Sequence, residues 1–352
     1  MPAFADARSR LAPPDDAAAA AAAARHERLT KPSGSLGRLE SAGIRLAAIA
    51  RRCPPPVPEP AAVAVFAGDH GVLAEGVSPW PAEVTAQMVA NFCAGGAAVN
   101  VLARHVGARV LVVDVGVAGD LPAAPGLRQA KVRRGTGNIA REPAMSEGEA
   151  LRALDVGAQV AADLAAEGAQ CLLTGDMGIG NTTPAAALVA ALTGRPAAEV
   201  TGRGTGIDDA TLARKVAVVD QAVARCGPSG DPIEVLASLG GLEIAALAGF
   251  VVGGAAAGLP VVLDGLIAGA AALVATAAAP VCAGYLFAGH RSTEPGATSV
   301  LEHLCLEPLV DLELRLGEGT GACLALPLLQ GAAKILGEMA TFESAGVTDS
   351  RE

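Results

Sequence analysis

The stretch Leu172–Thr183, LLTGDMGIGNTT, decides how the rest of the chain is read. Cys171–Thr174 is a short apolar run suited to a buried strand, and it breaks into a loop with glycines at 175, 178 and 180. Thr183 stands where an N-cap belongs and Pro184 where the first helical residue belongs, so a helix is expected to follow. Such a junction gathers backbone N–H groups and the positive end of a helix dipole at one point. Its natural guest is a phosphate or carboxylate. The same residues also suit an ordinary tight connection in an α/β protein.

Outward from this stretch the pattern repeats. Apolar runs at Ala61–Phe66, Val110–Val115, Val261–Leu263, Gly284–Phe287 and Leu312–Leu316 each end in glycine or a polar residue. Continuous apolar strands alternating with helices predict a Rossmann-like, mostly parallel α/β sheet with helices on both faces. Ligands bind such sheets beyond the carboxyl ends of the strands. Ser146 and Glu149 form a capping box for a helix to about residue 167, and Asp208 or Asp209 starts another, to about Arg225. Residues 1–29 read as an alanine-rich helix, and KPSGSLGRLE (31–40) leads into a second through Arg51. The Pro-rich segment Cys53–Pro60 cannot continue it and reads as a linker. The expected division is a large α/β domain over 56–330 and a small helical domain from 1–55 and 331–352, residues 1–25 being an Ala-rich extension.

The chain is 51% hydrophobic but 2% aromatic, with 43 glycines, so its core must be built from Ala, Val and Leu. A net charge of −10 with no basic run argues against nucleic acid. Seven scattered cysteines without a C-x-x-C pair suggest reduced thiols in a cytoplasmic protein, and the N-terminus does not read as a signal peptide. The very apolar region 236–288 is broken by Glu243, Asp264, Pro260 and glycines. It reads as buried core rather than membrane.

Three glycine-rich turns, at 175–183, 202–206 and 317–321, match neither the dinucleotide nor the nucleotide-triphosphate fingerprint. The five histidines show no metal-ligand spacing, so no metal or cofactor is expected, and His70 and His290 read as loop-orienting hydrogen-bonding residues. Glu318, between two glycines in LGEGTG, suits either general-base work with a raised pKa or a helix start favoured by the dipole. Lys215 suits a phosphate counter-charge or a solvated helix face. Asp176 is equally ambiguous.

The blocks KPSGSLGRLE, FAGDHGV, GVSPWPAEVTAQMVANFCAGGAAVN, GDMGIGNTT, GRGTGIDD, AGHRSTEPG and LGEGTGA occur in that order from about Lys31 to Val347. Together they resemble the nicotinate-nucleotide–dimethylbenzimidazole phosphoribosyltransferase family of cobalamin lower-ligand assembly. The resemblance implies transfer of phosphoribosyl from nicotinate mononucleotide to 5,6-dimethylbenzimidazole, with inversion at the anomeric carbon. It implies Glu318 as the base that takes the benzimidazole proton. It implies Asp176, Gly178, Gly180, Asn181 and Thr182 around the donor's phosphate and ribose, with Lys215 and Ser292 nearby. Ser78, Gln87 and Leu316 would line the base pocket, where Trp80 suits either stacking on the base or an interface. The resemblance further implies a homodimer. Where the family commonly has glutamate at position 176, this chain has aspartate.

Overall fold

A computed structural model describes residues 1–348. Seven parallel strands form one sheet in the order β3-β2-β1-β4-β5-β6-β7. They are β1 (Ala61–Gly68), β2 (Arg109–Gly116), β3 (Leu127–Gln129), β4 (Cys171–Met177), β5 (Val261–Leu263), β6 (Leu286–His290) and β7 (Pro308–Val310). The order reverses between β1 and β4. There, connections leave in opposite directions and open a crevice at the carboxyl ends.

Helices α1 (Ala3–Arg10), α2 (Asp16–Arg28) and α3 (Arg38–Ala50) precede the sheet. Between β1 and β4 come α4 (Glu83–Ala94), α5 (Ala98–His105) and α6 (Glu147–Ala166); β4 is followed by α7 (Thr182–Thr193), α8 (Ala197–Val200), α9 (Asp209–Cys226), α10 (Pro232–Leu239) and α11 (Leu242–Ala256). The chain finishes with α12 (Leu266–Ala278), α13 (Pro295–His303), α14 (Thr320–Glu338) and α15 (Phe342–Ala345). Val63 of β1 faces Gly319 at the start of α14, whereas Leu172 of β4 faces Gly254 of α11, so the sheet is covered on both faces. Small residues make this cover close. A Cβ on Gly157 of α6 would lie 1.7 Å from the Ala246 carbonyl oxygen of α11, and one on Gly249 would lie 2.0 Å from that of Leu154. Here the Gly- and Ala-rich composition becomes backbone-to-backbone helix packing.

The capping expectations at Ser146 and Asp208 are met: Ser146 Oγ accepts from Glu149 N–H, and Asp208 Oδ1 from Thr211 N–H at 2.8 Å. Other boundaries shift. The decisive strand runs on to Met177, Asn181 is the N-cap of α7, and Pro184 is the third helical residue rather than the first. Thr183 is buried with its hydroxyl unpartnered. The Ala-rich start is two helices, because Pro13 and Pro14 interrupt it. The run expected at Gly284–Phe287 begins as a strand only at Leu286, and β3 had no apolar signal. No strand forms at Leu312–Leu316. The edge strand β7 ends at Val310, and the next residues track the loop after β6 through a Thr293 N–H to Leu314 carbonyl bond, leaving Leu312 and Leu316 exposed.

Near the chain ends, Ala22 of α2, Ala47 of α3 and Leu336 of α14 share a small apolar cluster apart from the main core. α1 instead joins the main core through Phe4 and Ala7, with Phe4 N–H donating to Asp155 at 2.8 Å. α14 is continuous across residue 330, and residues 349–352 of the expected 331–352 segment lie outside the described residues. In the apolar region 236–288, α11 and α12 are buried throughout nearly their whole length and span 15 and 13 residues.

Candidate active site at the carboxyl edge of the sheet

Charged side chains collect where the strands end. Asp69 and His70 follow β1, Asp176 is the penultimate residue of β4, Asp264 follows β5 and His290 ends β6; Glu243 sits in the first turn of α11, and all are buried. His70 Nε2 stands 2.9 Å from Glu243 Oε1. Burial opposes the imidazole's charge, but the charge and hydrogen bond of Glu243, helped by Asp69, outweigh it and raise the His70 pKa. The ring packs beneath the glycine loop, since a Cβ on Gly178 would lie 2.9 Å from Nε2. His290 does not meet its hydrogen-bonding expectation. Neither ring nitrogen has a hydrogen-bond partner, and Nε2 lies 3.8 Å from Asp264.

Asp176 Oδ2 accepts from Asn181 Nδ2 at 2.9 Å, while Oδ1 is buried without a partner. Burial first, then the neighbouring carboxyl of Asp264, with Glu243 and Glu318 adding, hold its pKa well above the usual carboxylate range. The glycines of this loop make room for protein as well as exposing backbone. A Cβ on Gly180 would meet Leu73, and one on Gly175 would meet the Glu318 carbonyl.

The second glycine turn closes over Lys215. This lysine, 1% exposed on α9, donates from Nζ to Thr182 Oγ1 at 2.8 Å and to the Gly202 carbonyl at 3.0 Å. Burial pulls its pKa down to about 8, against the pull of Glu294. Glu294 Oε1 accepts from Gly204 N–H at 2.8 Å, its Oε2 is buried and unpartnered, and Ser292 Oγ accepts from its backbone N–H at 3.3 Å. Thr182, Lys215 and Ser292 therefore converge with the 202–206 turn.

Glu318 arrives from the turn before α14, not from a strand end. Gly317, Glu318 and Gly319 have φ of 83°, 66° and 99°, three left-handed residues in succession. For glutamate that costs roughly 1–2 kcal/mol, so the surroundings must hold it there. Its side chain is 6% exposed, accepts from Val99 N–H at the start of α5, and leaves Oε2 buried without a partner. Burial raises its pKa, the Val99 N–H opposes this, and Asp264 reinforces it. A Cβ on Gly317 would lie 3.3 Å from Asp176 Oδ2, so the third glycine turn abuts the first.

Ser78 and Gln87 belong to the segment leading into and through α4. Ser78 Oγ accepts from Trp80 N–H at 3.2 Å, and Thr85 Oγ1 accepts from Ile179 N–H at 3.1 Å, docking α4 on the first glycine loop. Gln87 is exposed and lines a groove with Cys93, Leu121 and Leu127, a lining that does not include Glu318. Trp80, 52% exposed, and Leu316 present apolar surface outward. The sequence reading missed Glu243, Asp264 and Glu294 as site residues. The signal for the first two was a lone acid inside an otherwise apolar run.

This arrangement defines the class of protein: a Rossmann-like α/β fold with buried titratable groups and glycine-rich turns gathered at the sheet's switch point. Residues 11–347 match the family model described as phosphoribosyltransferase. The nicotinate-nucleotide–dimethylbenzimidazole phosphoribosyltransferase of Chloroflexus aggregans is 56% identical over 345 residues, 98% of each chain, and that of Salinispora tropica 58% identical over 335 residues, 91% of this chain and 92% of that one. The crystal structure of the enzyme of that name from Thermus thermophilus aligns with a TM-score of 0.92 at 52% identity, covering 96% of this chain and all of that one. This chain belongs to the nicotinate-nucleotide–dimethylbenzimidazole phosphoribosyltransferase family.

Proposed function

We propose that this protein transfers phosphoribosyl from nicotinate mononucleotide to 5,6-dimethylbenzimidazole, giving α-ribazole 5′-phosphate and nicotinate for the nucleotide loop of cobalamin. One observation carries the mechanism: Glu318 is buried with one carboxylate oxygen unpartnered and abuts the loop of Asp176. The donor's ring nitrogen is already cationic, so nicotinate leaves with the C–N electron pair and needs no proton. A benzimidazole nitrogen attacks the anomeric carbon from the opposite face, and the proton on its other nitrogen passes to Glu318. A carboxylate of raised pKa is a stronger base than an exposed one and suits that step.

Donor phosphate and ribose are assigned to the cradle of Asp176, Gly178, Gly180, Asn181, Thr182, Lys215 and Ser292. The start of α7 and the ammonium of Lys215 supply its positive field. The acceptor is assigned to the segment of Ser78 and Gln87, with Leu316 as an apolar wall. A homodimer is part of the reading, supported by the stretch Glu83–His105, whose apolar 18-residue window is only 33% buried, and by exposed Trp80 beside it. All seven cysteines are unpaired, which supports a reducing, cytoplasmic setting. Residues 1–55 and 331–352 are assigned to a helical domain beside the catalytic one.

The test is to incubate the protein with nicotinate mononucleotide and an equimolar mixture of dimethylbenzimidazole, adenine and phenol, and to identify products by mass spectrometry. α-Ribazole 5′-phosphate should dominate. No phosphoribosylated product from any base would sink the assignment.

A further inference from the structure

We propose that Asp264 is the positioning residue that holds Glu318 in place for proton transfer. The inference rests on Glu318 being the base. The first N–H groups of any helix need acceptors, and a capping side chain usually supplies them. The N-cap of α14 is Gly319, which has no side chain. Asp264, 55 residues earlier in the chain, takes the task instead. Its Oδ1 accepts from Gly321 N–H at 2.7 Å and Ala322 N–H at 3.1 Å, and its Oδ2 from Gly319 N–H at 3.3 Å.

Gly319 N–H belongs to the peptide directly after Glu318, so this carboxylate grips the left-handed turn itself. Asp264 is in turn tied to the sheet. Its backbone N–H donates to Thr174 Oγ1 at 2.9 Å, and that hydroxyl donates to the Val262 carbonyl at 3.2 Å. Thr174 lies on β4 two residues before Asp176, so one short chain of hydrogen bonds links the donor loop's strand to the base. The other side of the turn is closed by Thr320, whose Oγ1 donates to the Gly317 carbonyl at 2.8 Å.

A plain helix cap would act on stability alone. Asp264 also bears on the chemistry, because its charge is set against Glu318. The charged and titratable groups around the base are Asp264 after β5, Asp176 on β4 and, behind Asp264, His290 on β6; α5 contributes the Val99 N–H. A negative charge there keeps Glu318 basic; burial raises the pKa of Asp264 itself, and the charge of His290 and the three N–H donors oppose that rise.

The experiment measures kcat, both KM values and the pH profile of kcat for wild type, Asp264→Asn, Thr174→Val and Glu318→Gln, with thermal melts alongside. Asp264→Asn is isosteric and removes the charge. It should lower kcat at least about tenfold with both KM values within about threefold, and move the acid limb of the kcat profile to lower pH. A lower melting temperature with kcat and acid limb as in wild type would mean a structural cap only and would overturn the proposal. Thr174→Val keeps the charge but loosens Asp264, and should lower kcat at least about threefold with the acid limb unmoved. If Asp264→Asn fails to fold, wild-type kcat in Thr174→Val overturns the proposal. Full activity in Glu318→Gln would instead overturn the base assignment. Inactive Glu318→Gln beside wild-type behaviour in Asp264→Asn would overturn the positioning role alone.

Discussion

Gly175 and Glu318 are locked together by the absence of one carbon. A Cβ on Gly175 would lie 2.5 Å from the Glu318 carbonyl oxygen and 3.0 Å from a methyl of Val65. The strand that ends in the first glycine loop thus carries the turn that presents Glu318. Gly175→Ala must push that turn away, because the obstructing atom is backbone. The substitution should destabilise the fold by about 1–3 kcal/mol in chemical denaturation and lower kcat more than either KM. Wild-type stability would show that the turn yields freely.

Turnover should be lost on the acid side at a higher pH than an exposed glutamate would give. As the proposed base Glu318 must be ionised, and burial raises its pKa from the model-compound value of about 4.3. The acid limb of a kcat–pH profile should therefore fall as pH drops through that raised value. A limb near pH 4 would place Glu318 in a wetter environment than the one seen here.

The donor site should titrate on the alkaline side. Lys215 carries a pKa of about 8, so its charge fades through that pH, and KM for nicotinate mononucleotide should rise there with KM for the acceptor unchanged. Lys215→Met should raise the donor KM at least about tenfold at pH 7 and abolish this alkaline rise.

Stability should carry the imprint of Asp176. Its folded-state pKa is raised, so the native protein retains a proton that the unfolded chain releases above about pH 3.9. Native stability then falls as pH rises from that value towards the raised one. Asp176→Asn keeps the bond with Asn181 and removes this term. It should melt above wild type at pH 8, with the gap narrowing at pH 5; a constant gap would mean that Asp176 is not the titrating group.

The parallel sheet was legible because its strands are buried on both sides and write themselves as unbroken apolar runs. Ala61–Phe66 and Cys171–Thr174 were found that way, merely truncated, because polar Asp176 still lies on the strand. Leu312–Leu316 shows the converse. Its leucines mimic a strand, yet the edge of the sheet stops at Val310. Glu318 could be singled out locally, since a carboxylate between two glycines is unusual wherever the chain runs. Asp264 could not, because the N–H donors it accepts from lie 55 or more residues away and only the fold brings β5 to the start of α14. The pairing of His70 with Glu243 is hidden for the same reason.

In the proposed mechanism Glu318 accepts the benzimidazole proton. The most direct test of that step is the initial rate of α-ribazole 5′-phosphate formation by Glu318→Gln against wild type at saturating substrates and neutral pH. The rate should fall at least about a hundredfold while the variant retains the fold and binds nicotinate mononucleotide. A rate equal to that of wild type would show that another group takes the proton.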